Sequence, residues 1–308
     1  MRNAPTSPIY IKNKEIDRVK WDRCISRSSN GLIYAYSFYL DSMSRHWDAL
    51  IVNDYEWVMP LTWNRKMGIS YLYQPFFTAS LGIFGNDITA ELVKYFLENI
   101  PVKYKYWDIS LNHSNLFKLE RFKFFERTNY ILPLNQNFEK LTRSFSQNHA
   151  RNISKATRQN LYLEKNISTR KIIEQAKLQL KEFSLITDTD LNNLNKVYKL
   201  LHAKNKAWSY GVLNAEGQLL SSCILFFSHK RIYYILAGNH PDSKSSGSSH
   251  YLISEIIREF AGQDLVFDFE GSDVKSIAKF YAGFGAREEK YPALKLNRLP
   301  ALLKLFKK

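Results

Sequence analysis

Cysteine is scarce in this chain of 308 residues, which contains only two. Cys24 and Cys223 lie far apart and follow no C-x-x-C or other ligand spacing. This scarcity argues against a disulfide framework and fits a protein of a reducing compartment. The histidines are also scattered without ligand spacing, so we expect no metal site.

Long apolar segments are missing as well. No apolar run approaches the roughly 20 residues that a transmembrane helix needs. Residues 1–11 include Pro5 and Pro8 and lack the apolar region of a signal peptide. These absences predict a cytoplasmic protein without a membrane span.

Acidic residues are few relative to basic ones. The chain has 29 Asp and Glu against 44 Lys and Arg, which gives a formal net charge of +15. This surplus predicts an anionic partner without identifying it. With 45% hydrophobic residues, the chain has enough apolar side chains to form a core, which excludes disorder as its main state. Its length favours two domains.

The two halves of the chain repeat one order of sequence patterns at an offset of about 160 residues. In each half, a strand, a polar turn and a second apolar strand predict a β-hairpin, at residues 47–63 and 208–227. A third strand is predicted in each half, at Ile69–Tyr73 and at Arg231–Ala237.

Each half then continues with a helix and a strand that carries an aspartate. Thr89 and Ser249 precede apolar residues at helical spacing, and the strands Trp107–Ile109 and Phe267–Phe269 follow. We therefore predict a mixed α/β fold of two duplicated domains, each a mixed, mostly antiparallel sheet flanked by helices. The predicted domains are residues 1–138 and 166–308, and residues 139–165 are predicted to form a basic amphipathic connecting helix.

The connecting segment carries a candidate anion-binding surface. At helical spacing, Leu141, Phe145, Ile153 and Ala156 fall on one side of the helix and basic residues on the other. The candidate substrate- or anion-binding residues are Arg143, Arg151, Lys155 and Arg158. Two interpretations stay open: a solvated face that keeps the helix soluble, or a phosphate-binding wall.

A serine-rich segment before the second predicted helix is a second candidate site. A glycine among serines ahead of a helix offers backbone N–H groups, hydroxyl donors and the positive end of the helix dipole, which suit a phosphate. The alternative is an ordinary connection with a serine cap. The candidate residues are Lys244, Ser245, Ser246, Gly247, Ser248 and Ser249.

Two carboxylates mark the end of the strand that follows. Period-two alternation places Asp268 and Glu270 on the face opposite Phe267 and Phe269. Carboxylates beside a cleft can accept a proton from an attacking amine. The structural alternative is that Asp268 bonds neighbouring loop amides while Glu270 stays in solvent. Tyr281 is a candidate general acid, with packing as its alternative role.

These residues carry a resemblance to a known group of proteins. Asp268–Ser272, the short helix with Phe280, and Gly283–Ala286 resemble the C-terminal signature of tandem GNAT-fold (acyl-CoA N-acyltransferase) enzymes. This group includes the Fem-type aminoacyltransferases and the CelD/BioF-like acetyltransferase domains. The segment Arg151–Ala156 is similar to the Arg-Asn-Ile-x-Lys-Ala helix often found between their two domains.

The resemblance implies two tandem GNAT-like domains and transfer of an acyl group from acyl-CoA or aminoacyl-tRNA to an amine. It implies that Lys244–Ser249 hold the donor phosphates in the second domain, and that the acceptor is a small molecule or a cell-envelope precursor. Two positions depart from the pattern. Gly247 is the only glycine of its loop, and Tyr281 stands where a lysine often follows the phenylalanine.

Two functions of different class follow from the sequence. The first is an N-acyltransferase in which Asp268 or Glu270 deprotonates the amine and Tyr281 protonates the leaving group. The second is a GNAT-fold module without catalytic activity that binds nucleic acid or another polyanion through the connector. It would also use the tail residues Lys304, Lys307 and Lys308.

Overall fold

The computed structural model describes residues 7–180, 185–271 and 273–300 of the chain. Ser272 and the tail residues Lys304, Lys307 and Lys308 lie outside the described residues. Contacts divide the chain into two compact units. Of the described residues, 7–127 and 290–300 belong to the first unit, and those between 128 and 289 belong to the second.

The first half of the sequence contains short helices and strands in alternation. The elements are β1 (Ile9–Ile11), α1 (Arg18–Arg27), α2 (Ser37–Met43), β2 (His46–Val52), β3 (Trp57–Lys66), β4 (Ile69–Tyr73), α3 (Ala90–Glu98), β5 (Tyr104–Ser110) and β6 (Phe124–Pro133). The predicted hairpin, third strand, helix and aspartate-bearing strand are all present.

The second half begins with two short helices and then repeats the same order. The elements are α4 (Phe138–Thr142), α5 (Gln147–Arg158), β7 (Tyr162–Lys165), α6 (Thr169–Leu180), α7 (Asp188–His202), β8 (Ala207–Leu213), β9 (Leu219–Ser228), β10 (Arg231–Asn239), α8 (Ser243–Ser246), α9 (Ser248–Phe260), β11 (Val266–Asp268), α10 (Lys275–Ala282) and β12 (Arg287–Asn297).

The sheets of the two units have the same strand order. In the first unit the order is β1-β2-β3-β4-β5-β12, and in the second it is β7-β8-β9-β10-β11-β6. Neighbouring strands are antiparallel except for β4 with β5 and β10 with β11, which are parallel. Each sheet is therefore mixed and mostly antiparallel, as the sequence predicts.

The last strand of each half completes the sheet that the other half begins. Residues 293–297 of β12 pair with β5 in the first unit. Residues 131–133 of β6 pair with β11 in the second unit. For this reason, the boundaries of the compact units, after residues 127 and 289, differ from the predicted domain boundaries at 138 and 165. The predicted boundaries refer to the duplication in the sequence and stay a prediction.

The predicted connecting helix over residues 139–165 is interrupted. Helix α4 ends at Thr142, and a new helix begins after Ser146, whose hydroxyl accepts a hydrogen bond from the backbone N–H of His149. Such a side-chain cap satisfies a donor that the first turn would leave unpaired. Residues 162–165 form β7 and not a helix.

Each sheet packs against helices through its own apolar core. In the first unit, Leu92, Phe96 and other apolar residues of α3 pack in a cluster with the fully buried Trp107 of β5. In the second unit, Ile253 and Ile256 of α9 pack in the cluster that holds residues of β8–β11. Among the described residues, no helix combines the length and apolar character needed to cross a membrane.

Candidate active site

A cavity of about 1320 Å³ lies within the second unit. It opens where β10 and β11 separate. The two strands pair in parallel only from Arg231 to Tyr233, whereas β10 continues to Asn239. Tyr234, Ala237 and Asn239, which lie beyond the paired segment, line the cavity.

A β-bulge in β10 aims these side chains at the cavity. The register of β10 against β9 shifts between Tyr234 and Leu236, which leaves Ile235 as the extra residue. Without a bulge, residues three apart face opposite sides of a strand. The bulge instead brings Tyr234 and Ala237 to the same cavity wall.

The other walls come from helices and loops of the second unit. They are formed by Ser146, Asn148, His149, Gln179, Ser243, Lys244, Ser249, His250, Val274, Ser276, Ile277, Lys279, Phe280, Tyr281, Ala282 and Gly283. Val274 and Ile277 are apolar and exposed at 54% and 41%. The cavity therefore combines an apolar side along α10 with cations and neutral hydrogen-bonding groups.

The first unit has no comparable cavity at the corresponding position, beyond the end of β4, where its described residues fill the space. The Gln74 side chain follows β4 and donates to the carbonyl of Thr78 at 2.8 Å, while its oxygen accepts from the backbone N–H of Ser110 at 3.0 Å. The remaining space is about 10 Å³, room for about one water molecule. Of the two related positions, the one in the second unit is open to a ligand.

The predicted phosphate loop is a short helix whose groups are largely engaged. The backbone N–H groups of Ser246 and Gly247 donate to the carbonyls of Asp242 and Ser243 at 3.0 and 3.1 Å. The Ser245 hydroxyl donates to the carbonyl of Asp242 at 2.9 Å. Only Lys244 and Ser249 of the six predicted residues line the cavity.

The serines at the start of α9 are bonded to the strands below them. Ser248 is fully buried, and its Oγ lies 2.7 Å from that of Ser221. The Ser249 hydroxyl donates to the Asn239 side chain at 2.7 Å. The expectation that Ser249 precedes the helix is therefore wrong: α9 begins at Ser248, and Gly247 is its N-cap.

Asp268 is held in a buried ion-pair network away from the cavity wall. Its Oδ2 accepts from Arg231 at 2.7 Å, and its Oδ1 accepts from the Asn129 side chain at 2.8 Å and from the backbone N–H of Glu270 at 2.9 Å. Arg231 also bonds Glu289 through both terminal nitrogens, at 2.9 and 2.6 Å. This bonding to a loop amide matches the structural alternative for Asp268.

Burial alone would lower the pKa of Arg231. The charges of Asp268 and Glu289 outweigh burial and hold the pKa of the guanidinium above its usual value. Arg231 therefore stays charged and supplies a counter-charge to both of these poorly hydrated carboxylates.

Tyr281 lines the cavity, and Glu270 lies close to it without lining it. Burial, and then the charge of Glu270, raise the pKa of Tyr281 well above its usual value. Its hydroxyl keeps its proton and makes no hydrogen bond with the described residues. Tyr281 is therefore a neutral residue of the cavity wall, and its role as a general acid stays a prediction.

The predicted anion-binding residues lie on the surface beside the cavity. Arg151, Lys155 and Arg158 follow one exposed side of α5, and Arg143 is exposed after α4. None of the four forms an ion pair with the described residues. The first residues of α5, Asn148 and His149, belong to the cavity wall, so one helix carries both the cations and part of the cavity.

Two histidines of the cavity were not among the predicted site residues. His149 is buried, and His250 is half-buried with its ring centroid 4.7 Å from that of His149. Burial, and then the electrostatic effect of the neighbouring His149, lower the pKa of His250 to about 4. The signal in the sequence is the position of His149 between Phe145 and Ile153, on the apolar side of an amphipathic helix.

The low pKa of His250 predicts a loss of stability in acid. An unfolded histidine has a pKa near 6.5, so between pH 6.5 and 4 the unfolded state binds more protons than the folded one. The free energy of unfolding therefore falls as the pH falls. Because His250 is only half-buried, we expect His250→Gln to remove about 1–2 kcal/mol of this fall. Urea unfolding at about pH 7 and about pH 4.5 measures it, and an equal fall in both proteins contradicts the assignment.

The part of the chain that the structure describes contains no group of three or more His, Cys, Asp or Glu that could hold a metal ion. The expectation that the protein needs no metal stays a prediction.

Comparison with known proteins identifies the fold. No protein-family model matches the sequence, and no curated protein matches it either. Among solved structures, FemX is 14% identical with a TM-score of 0.67, covering 95% of this chain and 99% of its own. The protein L-PGS from Bacillus licheniformis is 11% identical with a TM-score of 0.55, covering 94% of each chain.

A third structure is a C-terminal domain from Agrobacterium fabrum, provisionally assigned to a lysylphosphatidylglycerol synthetase. It is 14% identical with a TM-score of 0.50 and covers 96% of this chain and 95% of its own. Identities this low establish the fold and not the activity. The prediction of two tandem GNAT-like domains is confirmed, and the resemblance to the Fem-type group is confirmed at the level of the fold.

Proposed function

We propose that this protein is an N-acyltransferase that moves an acyl or aminoacyl group to an amine in the cavity of the second unit. The acceptor in this proposal is an amine of a cell-envelope precursor, and the reaction takes place in the cytoplasm. The single observation that carries the proposal is the cavity itself, which opens between β10 and β11 in a fold shared with FemX.

The size and lining of the cavity support a large, partly anionic substrate. Its volume of about 1320 Å³ exceeds the roughly 300–1,000 Å³ typical of small-ligand pockets. Lys244 and Lys279 line it and form no ion pair with the described residues. Their charges suit a phosphorylated donor or acceptor, while the exposed Val274 and Ile277 offer apolar contact.

The proposed reaction has two candidate donors, acyl-CoA and aminoacyl-tRNA. Acyl-CoA would need its pyrophosphate held by the Lys244–Ser249 segment, where the hydroxyl of Ser245 and the N–H groups of Ser246 and Gly247 are already bonded within the protein. Aminoacyl-tRNA would instead meet the exposed cations of α5, next to the cavity. The structure therefore favours an aminoacyl ester of RNA as donor.

Tyr281 is the side chain best placed to assist departure of the donor's carrier. Tyr281 lines the cavity, and its hydroxyl is neutral and makes no hydrogen bond with the described residues, so it can donate to the leaving oxygen or sulfur. Asp268 does not contact the cavity, and we assign it to positioning the end of β11 through Arg231. Glu270, close to Tyr281, stays a candidate base.

A transfer assay tests the proposal. Radiolabelled acetyl-CoA and a mixture of radiolabelled aminoacyl-tRNAs are each offered with amines that range from free amino acids to cell-envelope precursor peptides. We expect transfer from aminoacyl-tRNA, and an increase of at least tenfold in the KM for tRNA in Arg151→Glu/Lys155→Glu. No change in KM would remove α5 from the donor site, and no transfer from either donor would contradict the proposal.

The second candidate function is a polyanion-binding module without catalysis. It is favoured by the four cations Arg143, Arg151, Lys155 and Arg158, which are exposed and lack acidic partners among the described residues. Salt-sensitive binding of RNA by the wild-type protein, lost in the double glutamate variant and accompanied by no transfer, would select this function instead.

A further inference from the structure

The cavity wall in the second unit lacks carboxylates. None of its nineteen described lining residues is Asp or Glu. The lining groups that titrate are His149 of α5, Tyr234 of β10, Lys244 of α8, His250 of α9, and Lys279 and Tyr281 of α10. Transfer to an amine requires that a proton leave the nitrogen as the new bond forms. Among these groups, only an imidazole is a neutral base near pH 7.

His149 is a poor candidate for that base because both of its ring nitrogens are engaged. Its Nε2 lies 2.8 Å from the carbonyl oxygen of Phe280, which can only accept, so Nε2 carries the hydrogen. Its Nδ1 lies 2.8 Å from the hydroxyl of Ser146 and accepts from it. Burial lowers the pKa of His149, and this effect outweighs the hydrogen bond to the Phe280 carbonyl, which raises the pKa. His149 is thus fixed as a neutral ring.

His250 has the same chemistry with its nitrogens free. Neither ring nitrogen makes a hydrogen bond with the described residues, and the side chain is half-buried in the cavity wall. Its ring packs edge-on against the rings of His149, at 4.7 Å, and Phe280, at 4.9 Å. These rings hold the imidazole in place without using its polar atoms. A neutral imidazole has one N–H and one lone pair, and both remain available to a ligand.

We propose that His250 is the catalytic base that takes the proton from the attacking amine. This inference rests on the proposed function. The amine nitrogen bonds the acyl carbon, the carbonyl π electrons move to oxygen, and a nitrogen-bound proton passes to the free ring nitrogen of His250. The tetrahedral adduct then collapses, the bond from carbon to the carrier oxygen or sulfur breaks, and the leaving atom receives a proton from Tyr281. Transfer of the proton from His250 to Tyr281 restores both groups.

His149 is a positioning residue in this scheme. Its ring is one of the two that pack edge-on against His250, the other being that of Phe280. Its hydrogen bond to the Phe280 carbonyl connects α5 to α10. Gly283 makes this approach feasible, because a Cβ at that position would lie 2.1 Å from the His149 ring. These ring contacts orient His250 without engaging its nitrogens.

Substitution of His250 tests the base directly, with the donor and amine on which the wild-type protein acts. We expect His250→Gln and His250→Ala to lower kcat/KM by about 10²–10⁴-fold, the usual contribution of a positioned base. Added imidazole should restore activity to His250→Ala, which has space for it, and not to His250→Phe, which keeps the ring packing without a base. Circular dichroism of each variant confirms that it is folded.

Glu270→Gln tests the alternative base in the same assay. Full activity of the His250 variants, or a loss in His250→Ala that imidazole does not restore, overturns this inference and leaves the transferase proposal intact. A loss confined to Glu270→Gln would move the role to that carboxylate. Absence of transfer by the wild-type protein with every donor overturns both proposals.

Discussion

Replacing Arg231 by methionine is expected to destabilise the second unit by about 3–5 kcal/mol. The substitution keeps the apolar stem and removes the charge. Asp268, exposed at only 5%, would then lose its ion-pair partner in a poorly hydrated site, and Glu289, exposed at 17%, would lose both of its hydrogen bonds to Arg231. Urea unfolding at neutral pH, followed by circular dichroism, measures the loss as a lower midpoint at an unchanged slope.

The size of this effect follows from desolvation and not from the attraction alone. An ion pair exchanges hydration for mutual attraction, so its net contribution to stability is small, but removal of one partner leaves the full cost of the buried charge. Arg231 begins β10 and pairs with Val266 of β11, and Asp268 pairs with Tyr233 at the other end of this short paired segment, so the lost ion pair spans the contact between the two strands. Arg231→Met/Asp268→Asn, which removes one of these charges, should recover part of the loss.

A surface arginine provides the matched control. Arg170 forms an ion pair with Glu174 at 3.0 Å, but its side chain is 87% exposed. We expect Arg170→Met to change stability by less than about 0.5 kcal/mol. Equal, small effects of the two substitutions would show that the network of Arg231 does not hold the second unit together.

The strands and helices could be predicted because their patterns are local. β4 spans Ile69–Tyr73 as predicted, and α3 begins after Thr89, whose hydroxyl accepts from Leu92. The alternation of apolar residues in a strand, and their helical spacing in a helix, indicate which side of the element is buried. Both patterns can be read within about ten residues of sequence. The repeat extended these local predictions to the fold, because the same order of elements occurred twice.

The pairing of the last strands could not be predicted in this way. β6 and β12 end related halves, and each has the apolar pattern that either sheet would accept. Which sheet a strand joins depends on contacts between distant residues, such as Ala293 with Ser110, and not on the strand's own sequence. The predicted boundary at residue 138 assumed that each half keeps its last strand.

The sequence predicted only part of the candidate site, again because contacts between distant residues could not be predicted. The position of Tyr281 in the wall followed from the helix that precedes the glycine turn. Asp268 was placed correctly at a strand end, but its partner Arg231 lies 37 residues away, so its sequence neighbourhood could not show the ion pair. His250 becomes a candidate base only when the rest of the wall is known to lack carboxylates.

Alanine at Gly247 is expected to cost about 2–5 kcal/mol and to disturb the cavity. Two penalties combine. Gly247 has a φ of +76°, in the left-handed region, where a side chain costs about 1–2 kcal/mol. A Cβ there would also lie 2.5 Å from the backbone carbonyl oxygen of Asn152 in α5, and relief of such overpacking costs typically about 1–3 kcal/mol. Because a backbone atom cannot rotate away, α9 or α5 has to shift.

Gly217 separates the two penalties. It has the same φ of +76°, but a Cβ there would meet nothing within 4 Å. Gly217→Ala should therefore cost only the conformational term of about 1–2 kcal/mol, and the difference between the variants measures the close approach of α9 to α5. Ser249 and His250 lie two and three residues after Gly247 and line the cavity, so Gly247→Ala should also weaken transfer, whereas Gly217→Ala should not. Equal stability losses in the two variants would show that α5 and α9 can move apart at no cost in free energy. The cavity wall would then not depend on the close approach of Gly247 to Asn152.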